Sequence, residues 1–562
     1  MVKNVITHTN MLIEMTKFSI VTHRNSMIGT RTRVEDSCES GLCPICIADC
    51  PVFCEVSKAA LRGRETLYPL REYFGDSTAG TPKDFGVSFS DFQIQFEVRG
   101  AQGIEEDMDK TIFPNVDITS KWGNITQKVP IVIAGLGSTY VAKRNWEGLA
   151  MGSALAGCSL TIGENVCGMD SNSTFEQAGK YPRVIDTEDM KFRVNTFREF
   201  WDGEHGDIIV QRNVEDTRLG VFEYVTSKLE VVSLEEKFGQ GAKAIGGEVR
   251  LSSLERAQLL ASRGYLVIPD PFDETVVEQW KAGLIPDFER HSRVGITSTD
   301  DFLENLDKLR EMGAKNIFIK TGAYRPAATA WIIRLGVEGK VDGMTFDGAG
   351  GGTGMSPVTM MNEGSIPTVY LHALVVGCLD MIKRKAPNAK IPSIAIAGGL
   401  SNETHMVKAF AMGAPYTTTI AMARAPITAA MKGKYVHHAI ENGNVTSAML
   451  RALGFEKLKT PESLTLEEAF VCADELKRKF PGKEIPASAI AVYTYFGNRL
   501  ATGLKQLLAG IRKFKINYLD RKDVACLSQR AFDVCRKWNL GIDRQEELDF
   551  EAVKDQIFSG HY

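Results

Sequence analysis

Between residues 125 and 430, short apolar runs alternate with longer stretches in which apolar side chains recur every three or four positions. The runs are VPIVIAGLGS (129–138), GCSLTIGEN (157–165), GDIIVQRN (206–213), KLEVVSLEE (228–236), GYLVIPDP (264–271), NIFIKTG (316–322), VDGMTFDGAGGG (341–352) and PSIAIAGGL (392–400). Each runs out into Gly, Asn, Asp, Glu or Pro. Between them lie amphipathic segments such as TDDFLENLDKLREMG (299–313) and NETHMVKAFAMGA (402–414), whose spacing is helical. Continuous apolar strands separated by helices demand a parallel sheet covered on both faces, and eight such units predict a (β/α)8 TIM barrel. The chain then divides into an N-terminal region (1–124), the barrel (125–435) and a C-terminal helical extension (436–562).

A barrel of this kind gathers function at the C-terminal ends of its strands. The residues there are Ala134, Gly135 and Ser138, then Glu164, Gln211 and Asn213, Gln240 and Lys243, Asp270, Lys320, Asp347 with Gly351, Gly352 and Thr353, and finally Gly398 and Gly399. Any one alone is as readily a helix cap or a turn residue. Three features favour a site. Lys320 follows NIFI directly, so its stem has to cross the mouth. DGAGGGTGMSP is too rich in glycine for a simple turn and opens a nest of backbone N–H groups, and IAGG does the same one unit later. Read as the loops after the seventh and eighth strands, these two predict a phosphate site. A flavin mononucleotide suits such a pocket better than a dinucleotide, because GLGS lacks the glycine fingerprint of a dinucleotide-binding βαβ unit.

Composition changes this picture little. With 66 basic and 70 acidic side chains, a formal charge of −4, nothing argues for nucleic acid or an anionic membrane as partner. No apolar run reaches the ~18 residues of a spanning helix, and the N-terminus shows no signal-peptide core, so a cytoplasmic location is expected.

The cysteines do change it. Cys38, Cys43, Cys46, Cys50 and Cys54 crowd into CESGLCPICIADCPVFC. A disulfide framework is improbable in a large chain without a secretion signal, and zinc would prefer two separated CxxC pairs. The spacings, with Pro51 after Cys50, suit an iron–sulfur cluster best, with zinc and coincidence as alternatives. Cys43, Cys46, Cys50 and Cys54 are the expected ligands of a [4Fe–4S] cluster, with Cys38 the substitute. The remaining cysteines sit singly in apolar or helical surroundings, as small buried hydrophobes do.

FGQGAKAIGG (238–247), GGTGMSP (351–357) and AGG (397–399) together resemble the synthase domain of the glutamate synthases. GLGSTY (135–140), TIGEN (161–165) and the downstream NRLATGLKQLLAGIRKF (498–514) extend that resemblance over roughly residues 125 to 515. It implies an FMN-binding barrel in which Gln240 and Lys243 lie on the substrate side of the flavin with Glu164. A Lys ammonium there can hold a carboxylate, while Gln240 offers donors and an acceptor. The remaining implied flavin contacts are Ala134, Gly135, Ser138, Gln211, Lys320, Gly351, Gly352, Thr353, Gly398 and Gly399. Three departures stand out. The chain begins MVKN, where the family carries an amidotransferase with a catalytic first Cys. TTTIAMARAPITAAMKGKYV (417–436) holds none of the cluster cysteines the family has there. The glycine loop after Lys243 is one residue shorter and ends in Glu248 rather than Gln.

The expected activity is that of an FMN- and iron–sulfur-dependent oxidoreductase acting on a small amino, imino or carboxylate compound. A ferredoxin-like electron partner or separate subunit, and a homo-oligomer, are compatible with it. The alternatives are a glutamate synthase fed by ammonia or a partner glutaminase, and a non-catalytic electron-relay subunit.

Overall fold

The computed structural model describes residues 55–63, 83–239, 245–295, 297–352 and 357–560. Eight parallel strands close into a barrel: β1 (Ile131–Leu136), β2 (Ser159–Ile162), β3 (Ile208–Arg212), β4 (Ser233–Lys237), β5 (Asn316–Gly322), β6 (Gly343–Asp347), β7 (Ser393–Ala397) and β8 (Thr417–Met422). Pairing of Ile420 with Ile131 joins β8 to β1. The helices that cover the barrel are α1 (Tyr140–Leu155), α2 (Glu188–Arg198), α3 (Val221–Leu229), α4 (Thr299–Glu311), α5 (Pro326–Glu338), α6 (Thr368–Lys385), α7 (Glu403–Gly413) and α8 (Arg424–Glu441). Every residue of β2, β3, β5 and β6 is buried, as strands packed between a barrel interior and a helical shell must be.

One of the expected strands gives way to another in the structure. GYLVIPDP is not a barrel strand: Leu266–Ile268 is the edge of a three-stranded antiparallel sheet, with Phe288–His291 at the centre and Glu248–Leu251 on the far side. This sheet is inserted between β4 and α4. The eighth strand is instead Thr417–Met422, so NIFIKTG is the fifth strand. The two glycine loops consequently follow β6 and β7 rather than a seventh and eighth strand.

The N-terminal end of the barrel is shut by a hairpin, Ser120–Trp122 with Ile125–Gln127. Trp122 stacks on Phe318 at 4.8 Å and packs with Ile125, Val132, Ile209, Ala395 and Ala421 into an inner core separate from the larger one under the helices. Buried Gln127 finishes the seal by donating to the Ile131 carbonyl and Ser159 Oγ and accepting from Thr419 Oγ1.

After α8 the chain returns as a long helix, Ala487–Tyr493 continued by a wider π-helical stretch, Thr494–Leu500, and by Ala501–Gly510. It packs against α1 and α8 where β8 meets β1. The approach is close because α1 is glycine there: a Cβ on Gly152 would stand 2.6 Å from the Val492 Cβ. The strand Val524–Cys526 pairs with Phe92–Ile94, tying the last part of the chain to the first described part. No helix among the described residues is long and apolar enough to cross a membrane.

Candidate active site in the barrel mouth

The open end of the barrel holds a cleft of about 730 Å³, within the ~300–1,000 Å³ range of small-molecule sites. Its floor is set by alternation along the strands. Two residues beyond Phe318 on β5 comes Lys320, and two beyond Ile209 on β3 comes Gln211, so the inward face turns from apolar to polar as each strand rises. Lys320 is buried, with its Nζ 3.8 Å from Asp347 Oδ2 on β6. Gln211 Nε2 donates to Glu235 Oε1 at 2.6 Å. Burial pushes the Glu235 carboxyl up, and the charge of Lys320 pulls the other way. This charged floor lies directly on the apolar plug.

The loops after β1 and β2 meet backbone to backbone. A Cβ on Gly163 would lie 2.6 Å from the Gly137 amide nitrogen, and one on Gly137 would lie 2.4 Å from the Glu164 carbonyl oxygen, so only glycines allow this contact. The Gly163 and Ser138 amides donate to the Leu136 and Glu164 carbonyls across the seam. Arg193 of α2, fully buried and paired with Asp189, donates to the carbonyls of Leu136 and Gly137 from behind. Asn165 takes the left-handed conformation, φ 64°, which Asn tolerates better than most residues. Its amide is held by both carboxylate oxygens of Asp216. Burial pushes Asp216 up to about 7, although that amide contact opposes the shift. The loop presents Glu164, whose carboxylate meets Lys237 Nζ at 2.9 Å and Asn213 Nδ2 at 3.2 Å.

On the opposite wall the loops after β6 and β7 are laced together. Gly348 N donates to the Ala397 carbonyl, and Thr368 Oγ1 donates to the carbonyls of Ala349 and Gly398. Gly398 has φ 119°, and a Cβ there would come within 2.3 Å of Thr368 Oγ1, so the position admits no side chain. Beside it, β8 leads through Met422 and Ala423 into α8, which starts without a side-chain cap. Arg424, the first residue of α8, lines the cleft, and no charged partner among the described residues offsets its burial.

Of the residues singled out in the sequence, Ala134, Gly135, Ser138, Glu164, Lys320, Gly351, Gly352, Gly398 and Gly399 line this cleft. Gln211 lies beneath it, against Gly135. Gln240, Lys243 and Thr353 lie outside the described residues, as do Cys38, Cys43, Cys46, Cys50 and Cys54. Asp270 is on the added sheet side, away from the cleft lining. Among the lining residues that escaped the sequence reading are Lys237, Arg290, Arg424 and Tyr495. Tyr495, delivered by the π-helical stretch, donates its hydroxyl to the Ser401 carbonyl. A signal for Lys237 existed, since strand alternation puts it on the side of Glu235.

Residues 290–431, from the added sheet to α8, match the family model described as the conserved region in glutamate synthase. Over these residues the chain is similar to the glutamate synthases. A glutamate synthase large subunit-like protein of Rhizobium meliloti (strain 1021) is 24% identical over 315 residues, 56% of this chain and 58% of that protein. An archaeal-type glutamate synthase (NADPH) of Thermotoga neapolitana is 28% identical over 223 residues, 39% of this chain and 37% of that protein. The chain thus spans little more than half of the first relative and little more than a third of the second. Among solved structures it is similar to a flavocytochrome b2 with sulfite bound, at TM-score 0.42 and 11% identity over 83% of this chain and 84% of that one. It is also similar to (S)-mandelate dehydrogenase, at TM-score 0.37 and 13% identity over 78% and 89% of the two chains.

Proposed function

We propose that the protein is an FMN-dependent oxidoreductase acting on a small amino, imino or carboxylate compound, with electrons supplied through a [4Fe–4S] cluster on Cys43, Cys46, Cys50 and Cys54. The observation that carries this is the polarity of the cleft. One end has the Gly398–Gly399 backbone and Arg424, which makes no ion pair among the described residues, beside a helix start without a side-chain cap, a combination suited to a phosphate. The middle has a buried Lys320 rising from β5, and the far end has Glu164 and Lys237. A flavin fits this sequence of groups: phosphate at the Arg424 end, ring over Lys320, and substrate towards Glu164.

Bound there, FMN would supply exchange of two-electron equivalents with the substrate and of single electrons with the cluster. The chain's own residues do the rest. Lys320, buried in the cleft floor, would favour a reduced, anionic cofactor bound there. Gln211 and Glu235 fix the floor from which Lys320 projects. Gln240 and Lys243 are assigned to the substrate side on the glutamate synthase resemblance. Glu164, tethered by Lys237 and Asn213, keeps a carboxylate facing the substrate space. A ferredoxin-like protein is the proposed electron donor.

The family match favours one second reading, formation of glutamate from ammonia delivered by a separate subunit. Both readings are tested by anaerobic purification followed by addition of candidate substrates. Reoxidation of the donor-reduced flavin on adding a substrate supports an enzyme, and reoxidation by 2-oxoglutarate only when ammonia is present selects the second reading. A flavin that a reduced ferredoxin reduces and that no substrate reoxidises would leave only an electron relay. Iron retained in full after Cys46→Ser would remove the cluster from the account.

A further inference from the structure

The helix that returns after α8 is set against the barrel with little freedom. A Cβ on Gly148 of α1 would stand 2.5 Å from Ser488 Cβ, and one on Gly433 of α8 would stand 2.7 Å from the Ala487 carbonyl oxygen. These close approaches fix the first turns of the helix. At Thr494 the regular winding gives way to the π-helical stretch Thr494–Leu500, which turns Tyr495 into the cleft lining while Phe496 stays fully buried. A π-helical turn holds more residues than an α-helical one, so it re-aims side chains, and such turns recur at functional sites.

Two side chains of this stretch grip one short segment of the barrel mouth. Tyr495 donates its hydroxyl to the Ser401 carbonyl, and its oxygen lies 3.9 Å from Met422 Sδ at the end of β8. Arg499, further along, pairs with Glu403 Oε1 at 2.8 Å where α7 begins. Gly503 makes room for that pair, since a Cβ there would meet Glu403 Cγ at 2.7 Å. Burial pushes the Tyr495 hydroxyl up to about 12, and the Glu403 carboxylate adds to the shift, so the hydroxyl keeps its proton and remains a donor.

The segment held in this way begins with Gly398 and Gly399, at φ 119° and 86°. A glycine pair loses much conformational entropy when it is ordered. Its near end is tied to the β6 loop, through Thr368 Oγ1 donating to the Gly398 carbonyl. Its far end is tied by Tyr495 and Arg499, which belong to the C-terminal extension and not to the eight βα units.

Resting on the flavin reading of this cleft, we propose that the returning helix completes the phosphate seat, with Tyr495 as a positioning residue that holds the Gly398–Ser401 backbone ready for a phosphate monoester. Order imposed before binding need not be imposed by the ligand, and that difference appears as affinity. The C-terminal extension thereby takes part in cofactor selection, favouring a flavin that carries a phosphate over one that does not.

The test titrates the full chain, freed of bound flavin, with FMN and with riboflavin, and follows the quenching of flavin fluorescence, so that no turnover is needed. Wild type should bind FMN more tightly than riboflavin. Tyr495→Phe should weaken FMN binding by ~3- to 10-fold, the scale of one neutral hydrogen bond, and leave riboflavin binding unchanged. Unchanged FMN affinity in Tyr495→Phe would overturn the proposal. So would an equal loss for both flavins, which marks a helix that supports the barrel without acting on the phosphate loop. Equal affinities of wild type for FMN and riboflavin would remove the phosphate seat and this role with it. A wild-type chain that binds neither flavin would sink the flavin reading itself, an outcome distinct from the others.

Discussion

The two ends of the barrel are made by the same eight strands and differ in what two residues of rise bring inwards. At the closed end Phe318 and Ile209 meet Trp122 in an apolar cluster, and the polar Gln127 beside it is satisfied by Ser159 and Thr419. At the open end Lys320 and Gln211 meet Glu235 and Asp347. The first arrangement gains from burial and close packing. The second spends stability, because ionisable groups are held out of water with imperfect partners. Stability and chemistry are therefore separable along a single strand, and substitutions at the two ends should fail in different ways.

The largest effect belongs to the plug. Trp122→Ala removes a fully buried ring stacked on Phe318 and should cost about 3–5 kcal/mol in denaturant unfolding, while the protein that remains folded keeps its full flavin complement. A simultaneous loss of flavin from the folded fraction would show that the two ends are coupled.

Next in size is a pH effect at the open end. Asp216 titrates at about 7 in the folded protein, against ~3.9 for an ordinary Asp. A carboxyl with a raised folded pKa binds its proton more tightly when folded. Its contribution is therefore fully present below pH ~4 and is lost as pH climbs to 7, at up to roughly 1.4 kcal/mol per pH unit. Asp216→Asn should flatten the stability profile over that window. An unchanged slope would mean that the wild-type carboxylate is ionised throughout.

A smaller effect is expected at Lys320. Its replacement by Ala should change unfolding little, since a strained polar cluster loses its cation while Glu235 can take up a proton. Flavin affinity should nonetheless fall by ~10-fold or the flavin potential should move downwards, as expected for loss of a positive charge under a reduced ring. Destabilisation as large as that of Trp122→Ala, with an unaltered flavin, would place Lys320 in the structural core instead.

The barrel was legible because strands buried on both faces are apolar at every position, a pattern short enough to exclude helices. The eighth strand hid behind its threonines. Thr417 and Thr419 read as polar, yet both are buried, and Thr419 satisfies its hydroxyl on Gln127. GYLVIPDP stood in for it because Leu266 and Ile268 are apolar and yet largely exposed on the added sheet, an edge-strand pattern that composition cannot tell from a barrel strand. The glycine loops, Glu164 and Lys320 declared themselves by type and position. Lys237 was masked by a charged run that resembles a solvated turn. Arg290, Arg424 and Tyr495 reach the cleft only through an inserted sheet, a late strand and a returning helix, and no local signal announces such meetings.

The account stands on one cofactor in one cleft, so the most direct measurement is the identity and amount of flavin released on denaturation. The phosphate seat proposed at Gly398, Gly399 and Arg424 predicts FMN at about one per chain. Release of FAD, or of no flavin at all, would contradict it.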